Sequence, residues 1–422
     1  MKRRTMRNAL CLLLACLLVM ASAGCAGQNT NTRTVDLMQD VKDVRAEAAG
    51  PVEDRSAAAA SDFALRLFRA SYDPEKNTVL SPLSVLAALA MTANGAKGET
   101  LAEMEQSLGL SSDELNAFFG SWLQLLEEKD AAALRMADSV WFADGRGFTA
   151  DRAFLQKNAE IYGAGVYAAP FDDSTLKAIN SWVKEKTDGM IPEILDEIPE
   201  TAVMYLVNAL AFDAKWSEPY NKTQVREGAF TALNGAERSV EYLVSEESRY
   251  LESEKATGFV KPYEGGRYAF AALLPNEGVS LEELLASLDG PGLQKLLADA
   301  SRDSVIAWLP KFEASYDSEL SSRLKDMGMQ LAFDEDFADF SGLGVCERGN
   351  ICINRVLHKT FLSVTEQGTR AGAAAAVEMT NKSAPPMDLK RVILDRPFLF
   401  LLIDCETNLP FLIGVLTDPG AE

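Results

Sequence analysis

Glu366-Gln367-Gly368-Thr369-Arg370-Ala371-Gly372-Ala373-Ala374-Ala375-Ala376-Val377-Glu378-Met379-Thr380-Asn381-Lys382-Ser383 is the stretch on which the fold turns. Read alone it is bland, because alanine is the best helix former and an exposed helix or linker would account for it. Its setting argues otherwise. Asn354 to Glu366 before it and Phe398 to Asp404 after it are rich in β-branched and aromatic residues. A compact domain rarely joins two such segments through a loop this long unless the loop has a task.

Working outward, strand patterns dominate the later half: Arg135 to Asp144, Ala202 to Lys215, Val305 to Phe312, Asn354 to Glu366, Phe398 to Asp404 and Leu409 to Leu416. Several are apolar on both faces, as strands buried between layers should be. Helix signals crowd the first third. Ser81 with Pro82 reads as a cap followed by a first-turn proline, and Thr100 with Glu103 and Ser111 with Glu114 read as capping boxes. Gly95, Gly98 and Gly109 mark ends or turns. With no internal repeat, these patterns predict one mixed α+β domain over residues 58–422.

The 422 residues are 47% hydrophobic and 24% charged, which is the composition of a chain with a large core. The net charge is −21, and the first 24 residues hold four cations and no acid, so their removal takes it to −25. Such a surface repels nucleic acid. Lys2, Arg3, Arg4 and Arg7, followed by an apolar run from Ala9 to Met20, form an export signal over residues 1–24. The run is short for a membrane span. Cys25 after Ser22-Ala23-Gly24 resembles a lipoprotein cleavage box, although Ser22 stands where that box has an aliphatic residue; cleavage after Ala23 is the alternative. Residues 25–57, polar and low in aromatics, read as a flexible tether. Beyond Cys25 only Cys346, Cys352 and Cys405 remain. That is too few for a disulfide framework, and they read as free thiols, with a small Cys346–Cys352 loop as the other possibility. No metal-ligand spacing occurs, so no cofactor is expected.

An enzyme would have to work with one histidine, His358, set inside the strand pattern Val356-Leu357-His358-Lys359-Thr360-Phe361. There is no Gly-x-Ser-x-Gly elbow, phosphate loop or dinucleotide fingerprint. A lone histidine in a strand is more often a hydrogen-bonded core residue than a general base.

Distributed along the chain are motifs that resemble those of the serpin family, in family order from about Ala60 to Pro419. They are Ser81-Pro82-Leu83-Ser84 with Gly95-Ala96-Lys97-Gly98-Glu99-Thr100, Ile179-Asn180-Ser181-Trp182-Val183 with Thr187-Asp188-Gly189-Met190-Ile191, and Leu206-Val207-Asn208-Ala209 with Phe212 and Lys215-Trp216. Leu309-Pro310-Lys311-Phe312, His358-Lys359, Glu366-Gln367-Gly368-Thr369 and Asp395-Arg396-Pro397-Phe398-Leu399-Phe400 complete the set.

The resemblance implies the serpin fold, about nine helices around three β-sheets with an exposed reactive-centre loop, here about residues 367–394. It also implies a suicide-substrate inhibitor of serine proteases, not an enzyme. A protease cuts the loop, and the severed strand enters the main sheet while the protease is still joined by its acyl bond. A strand sliding between two others needs small side chains, a free N–H at every position and no proline. The segment meets all three, since its first prolines are Pro385 and Pro386.

Residue by residue, the resemblance makes Glu366, Gly368, Thr369, Arg370, Ala371, Gly372, Ala373 and Ala374 the loop hinge. It makes Ser81, Ser84, Asn208 and His358 a polar cluster where strands part, and Lys311 with Glu366, beside Trp216, an ion pair at the top of the sheet. Counting from Glu366 puts the reactive bond between Lys382 and Ser383, which suits a trypsin-like pocket; counting back from Pro397 lands near Pro386, and Asn381 or Met379 would suit subtilisin- or elastase-like targets. Arg370 departs from the acid common in the family's hinge, and Ala375 stands where threonine is frequent; neither adds bulk or proline. The expected partner is the target protease in a covalent acyl complex, with the membrane touched only through lipid on Cys25, no nucleic acid, and a monomeric chain exported from a bacterial cell. The alternatives are a non-inhibitory serpin that binds or transports, and a cell-surface lipoprotein that captures a solute.

Overall fold

The computed structural model describes residues 33–39, 41, 50–130, 134–144, 147–199, 201–347, 349–369 and 389–420, the side chains of 126–130 excepted. From Thr34 onward the chain forms one compact unit. The export signal, Cys25, hinge residues Arg370, Ala371, Gly372, Ala373 and Ala374, and the bond Lys382–Ser383 lie outside the described residues.

Nine α-helices are present among the described residues: α1 Asp54–Ser71, α2 Pro82–Ala93, α3 Gly98–Leu108, α4 Ser112–Asp130, α5 Arg152–Tyr162, α6 Asp173–Lys186, α7 Leu281–Ser287, α8 Gly290–Ala298 and α9 Ser321–Asp326. Helix α2 is apolar around its circumference and every one of its residues is buried, which makes it a central helix rather than a surface one. The local readings of its start need correction. Ser81 precedes Pro82 as expected, but its hydroxyl makes no cap bond and instead donates to the Phe411 carbonyl oxygen at 2.9 Å. Thr100 and Glu103 form no capping box either. They lie inside α3 and accept backbone N–H bonds from Asp339 and from Gln330 and Leu331, stitching a distant segment to the helix. Ser111 and Glu114 do form the reciprocal pair.

The main sheet has eight strands: β1 Val35–Asp36, β2 Leu134–Ala143, β3 Gly165–Ala169, β4 Met204–Phe212, β5 Ala214–Lys215, β6 Phe312–Glu319, β7 Arg355–Val364 and β8 Gly368–Thr369. Their order is β1-β3-β2-β4-β7-β8-β5, with β6 along the other edge of β7. Strand β4 is buried at all nine positions. Its alternate residues serve two layers: Met204, Leu206, Leu210 and Phe212 face the larger core, while Tyr205, Val207 and Ala209 face a smaller one closed by Ile179 and Val183 of α6.

A six-stranded sheet, built on Tyr268–Pro275, Phe398–Asp404 and Leu409–Leu416, packs behind the main sheet, and a four-stranded sheet includes Val305–Pro310 and Lys390–Ile393. A two-stranded ribbon, Phe148–Ala150 with Gly344–Cys346, makes a fourth sheet where three were expected. The tether reading also changes. Val35 and Asp36 pair with Ala168 and Tyr167, the Leu37 N–H bonds to the Val166 carbonyl oxygen at 2.9 Å, and α1 starts at Asp54. Leu37, Met38 and Val41, apolar residues in an otherwise polar stretch, pack against the core. No disulfide joins Cys346, Cys352 or Cys405 among the described residues.

Candidate functional site: the opening of the main sheet

Strands β4 and β7 run parallel and pair from Tyr205–Arg355 to Leu210–Thr360, where their pairing stops. Above that point the chain separates them. The turn Thr365–Gly368 brings β8 back between β5 and β7, so that Thr369 faces Val364 on one side and Ala214 on the other, while Gly368 faces Lys215. Both registers are antiparallel, and extended downward one residue at a time they agree at every rung. Continued below Thr369, the two registers lead together to Leu210 and Thr360 and on to Tyr205 and Arg355, residues of β4 and β7 that pair with each other.

The turn is held from several directions. Trp216 donates its backbone N–H to the Gln367 carbonyl oxygen and its indole N–H to that of Thr365, each at 2.9 Å, and the Tyr220 N–H reaches the Glu366 carbonyl oxygen at 2.9 Å. Lys311 Nζ lies 2.8 Å from both Glu366 and Glu241. Burial works against both charges of the Lys311–Glu366 pair, yet their hydrogen bonds outweigh it, holding the amine above its ordinary range and the carboxyl below. Thr369 is fully buried, and its hydroxyl bonds to the phenol of Tyr263, whose ring stacks on Trp216 at 4.5 Å. A Cβ at Gly368 would sit 2.1 Å from the Ala214 carbonyl oxygen, so only glycine lets β8 run this close to β5. Beneath lies a buried ion pair, Lys261–Glu247 at 2.8 Å, with the amine 4.4 Å from the Tyr220 ring centre.

Lower in the sheet, the four residues Ser81, Ser84, Asn208 and His358 come together, all fully buried. The Ser81 backbone N–H donates to His358 Nε2 at 3.1 Å, which leaves the ring proton on Nδ1, where it meets Asn208 Oδ1 at 2.7 Å. Ser84 Oγ is 2.8 Å from both Ser81 Oγ and Asn208 Oδ1. A protonated ring would turn a second N–H against that of Ser81, and burial pushes the His358 pKa down to about 3. The imidazole is therefore a neutral connector between α2, β4 and β7. It is no general base.

A profile of the family described as Serpin (serine protease inhibitor) matches residues 58–419. The chain belongs to the serpin family. This serpin is 30% identical to an uncharacterised serpin-like protein of Thermococcus kodakarensis, over 96% of this chain and 98% of that one. It superposes on the native state of the thermophilic serpin tengpin with a TM-score of 0.87 and 42% identity, covering 92% of this chain and 100% of the other. Against the latent state of tengpin the TM-score is 0.76. Human thyroxine-binding globulin in complex with its hormone is 25% identical, with a TM-score of 0.76 over 87% of this chain and 99% of that one.

Sequence reading missed one member of the serpin's polar cluster, Asp138 in the middle of β2. It pairs with Asn208 across the sheet and accepts a hydrogen bond from the Asn208 amide. The available signal was an acid at an inward position of an apolar strand. Protein surrounds the carboxyl although an edge of the residue still meets solvent, and this burial, only partly relieved by Asn208, pushes its pKa up to about 8. Since the folded value lies above the unfolded one of about 3.9, its stabilisation is complete below pH ~4 and is lost as pH rises through 8. We expect stability to fall over that window by at most about 1.4 kcal/mol per pH unit from this group. Asp138→Asn, which keeps the acceptor for Asn208, should flatten the profile; thermal melts at pH 5 to 9 that run parallel for the two proteins would contradict this.

Proposed function

We propose that this serpin is a suicide-substrate inhibitor of serine proteases, trypsin-like ones foremost, and that the cut falls between Lys382 and Ser383. The protease serine attacks the Lys382 carbonyl carbon, the amide to Ser383 breaks, the new amine takes a proton from the protease's own histidine, and Lys382 remains as an ester. The inhibitor contributes no catalytic group. Insertion of the severed strand carries the ester-bound protease along the sheet and distorts its active site. Loss of even one oxyanion donor slows such hydrolysis about a hundred- to thousandfold, so water does not release the protease.

What supports this reading is the seating of Gly368 and Thr369 as a first rung between β5 and β7. The registers on both sides are in step with the pairing of β4 and β7, so a strand continuing from Thr369 would meet paired residues of both from Leu210–Thr360 to Tyr205–Arg355. By strand alternation an inserted loop would turn Ala371, Ala373, Ala375, Val377 and Met379 to the face of Thr369, toward the larger core, and Arg370, Gly372, Ala374, Ala376, Glu378, Thr380 and Lys382 to the other. The charges Arg370, Glu378 and Lys382 would then share this second face and leave the larger core free of charge. The export signal and Cys25 support a place at the outer cell surface, lipid-anchored, and the target protease would be met there.

Incubated with trypsin, the protein should form a covalent complex that survives boiling in detergent, with release of a peptide beginning at Ser383. Lys382→Ala should remove trypsin from the targets. Plain cleavage that leaves trypsin fully active would overturn the inhibitory reading and favour a binding role, such as that of the thyroxine-complexed relative.

A further inference from the structure

Every carbonyl of the turn Thr365–Gly368 is taken, and one short segment holds three of the four. Thr365, Glu366 and Gln367 accept from the Trp216 indole, the Tyr220 backbone N–H and the Trp216 backbone N–H, while Gly368 accepts from the Thr365 N–H within the turn. Past the Trp216–Tyr263 bridge, residues 217–220 belong to no helix or strand, so no ladder fixes the seat. Beneath it lies a charge. The Lys261 amine stands 4.4 Å from the centre of the Tyr220 ring, 5.5 Å from that of Trp216 and 2.8 Å from Glu247 Oε1. Glu247 Oε1 also accepts from Ser245 Oγ at 2.6 Å, and Ser245 Oγ meets the Tyr220 hydroxyl at 3.1 Å. Tyr220 is thus gripped at its face by the cation and at its hydroxyl by a chain that ends on the same carboxylate. Burial works against the Lys261 charge, and Tyr220 and Glu247 outweigh it, holding the amine above its ordinary range.

The side chains of Lys261 and Glu247 are only 2% and 7% exposed, so neither leans on water. A methionine and a leucine would fill the same space against the same rings, and exchanges of that kind are often neutral or stabilising. Stability alone therefore does not account for the pair. What charge adds is direction: a cation seeks the face of a ring and a carboxylate fixes the cation, whereas apolar contacts leave rings free to slide. We propose that Lys261 and Glu247 are positioning residues for loop entry, holding Tyr220 and Trp216 as a rigid seat for the turn Thr365–Gly368 so that the rung at Thr369 stands ready before a protease cuts. The proposal rests on the insertion reading above and adds what makes entry prompt. A severed strand enters in competition with water, which attacks the ester and frees the protease. With the first rung in place, entry extends a ladder already begun. With the turn loose, that rung must be remade first, and each delay sends more inhibitor down the hydrolytic branch.

Either single change strands a buried charge and destabilises for that reason alone, so the test uses full-length protein carrying Lys261→Met together with Glu247→Leu. Its uncut form should melt no more than about 5 °C below wild type. Hydrogen exchange at the Trp216 and Tyr220 amides, read by NMR, should nevertheless quicken about tenfold. Against trypsin and subtilisin, the number of inhibitor molecules cut per protease trapped should rise at least about threefold. Lys261→Arg with Glu247→Asp, which keeps a cation of similar reach over the rings, should return both readouts to within about twofold of wild type. An apolar variant that exchanges and inhibits like wild type refutes the positioning role and leaves insertion standing. One that melts more than about 5 °C lower refutes it too, since the pair would then be a structural prop. If the Arg–Asp protein behaves as the apolar one, charge is not what holds the seat, and the proposal falls likewise. If wild type traps neither protease, insertion fails and the proposal with it.

Discussion

Cutting the loop that follows Thr369 should raise the melting temperature of this protein by about 10–15 °C, although a covalent bond has been lost and nothing added. The physical source is the unfinished pairing between β4 and β7. Among the described residues these strands have no partner across the gap between Leu210–Thr360 and Thr369, and below it they pair in parallel, a slightly weaker arrangement than antiparallel. A severed loop converts each rung into two antiparallel pairings, one on each side. At roughly 0.5–1.5 kcal/mol per new hydrogen bond, and with Val377 and Met379 moved into the core, the gain after ordering the strand is on the order of ten kcal/mol. On the proposed insertion, an intact loop is tied at both ends and can enter only if β4 and β7 part around it, so the uncut fold would persist for kinetic reasons. Differential scanning calorimetry of the two forms decides the matter. Superimposable transitions would mean that no such reserve exists.

Much of this arrangement was legible before any coordinates. The strands read from Ala202 to Lys215 and Asn354 to Glu366 are present within one or two residues, because long apolar runs rich in β-branched residues have few other homes. The four polar residues of the cluster were placed together by resemblance rather than by physics, since nothing in a lone serine or histidine says what it will face. Local reasoning failed where tertiary partners outbid local ones. Ser81 looked like a cap and gave its hydroxyl to Phe411, and Thr100 with Glu103 looked like a capping box and bonded a segment more than 220 residues away. The strand at Val35–Asp36 was hidden for the same reason: two residues carry no periodicity, and only the open edge of β3 gives them a partner.

His358→Ala should destabilise the uncut protein by about 3–5 kcal/mol and the cut protein by distinctly less. In the uncut state the ring is bonded through both nitrogens, and its removal strands the Ser81 N–H and deprives Asn208 of a donor inside a dry cluster. Insertion in the stated register sends Ala375 into the His358–Asn208 rung. The two side chains, now flanking a third strand, stand about 9.6 Å apart at their backbones and no longer bond. The contact therefore belongs to the closed sheet alone, and an alanine at 375 leaves both polar side chains room on either side. The same bond must break before the strand can pass, so its loss also lowers the barrier. Uncut His358→Ala protein held at a moderate temperature should convert to a heat-resistant form at least about tenfold faster than wild type, as about 1.4 kcal/mol off a barrier requires. The pH dependence supplies a second reading of the same residue: a histidine depressed to about 3 stabilises above the unfolded value of about 6.5, and that contribution is lost as pH falls toward 3. The alanine variant should lack this acid-side decline in its uncut form. Equal losses in cut and uncut protein, with unchanged conversion rates, would show that the histidine is ordinary packing and that the sheet opens elsewhere.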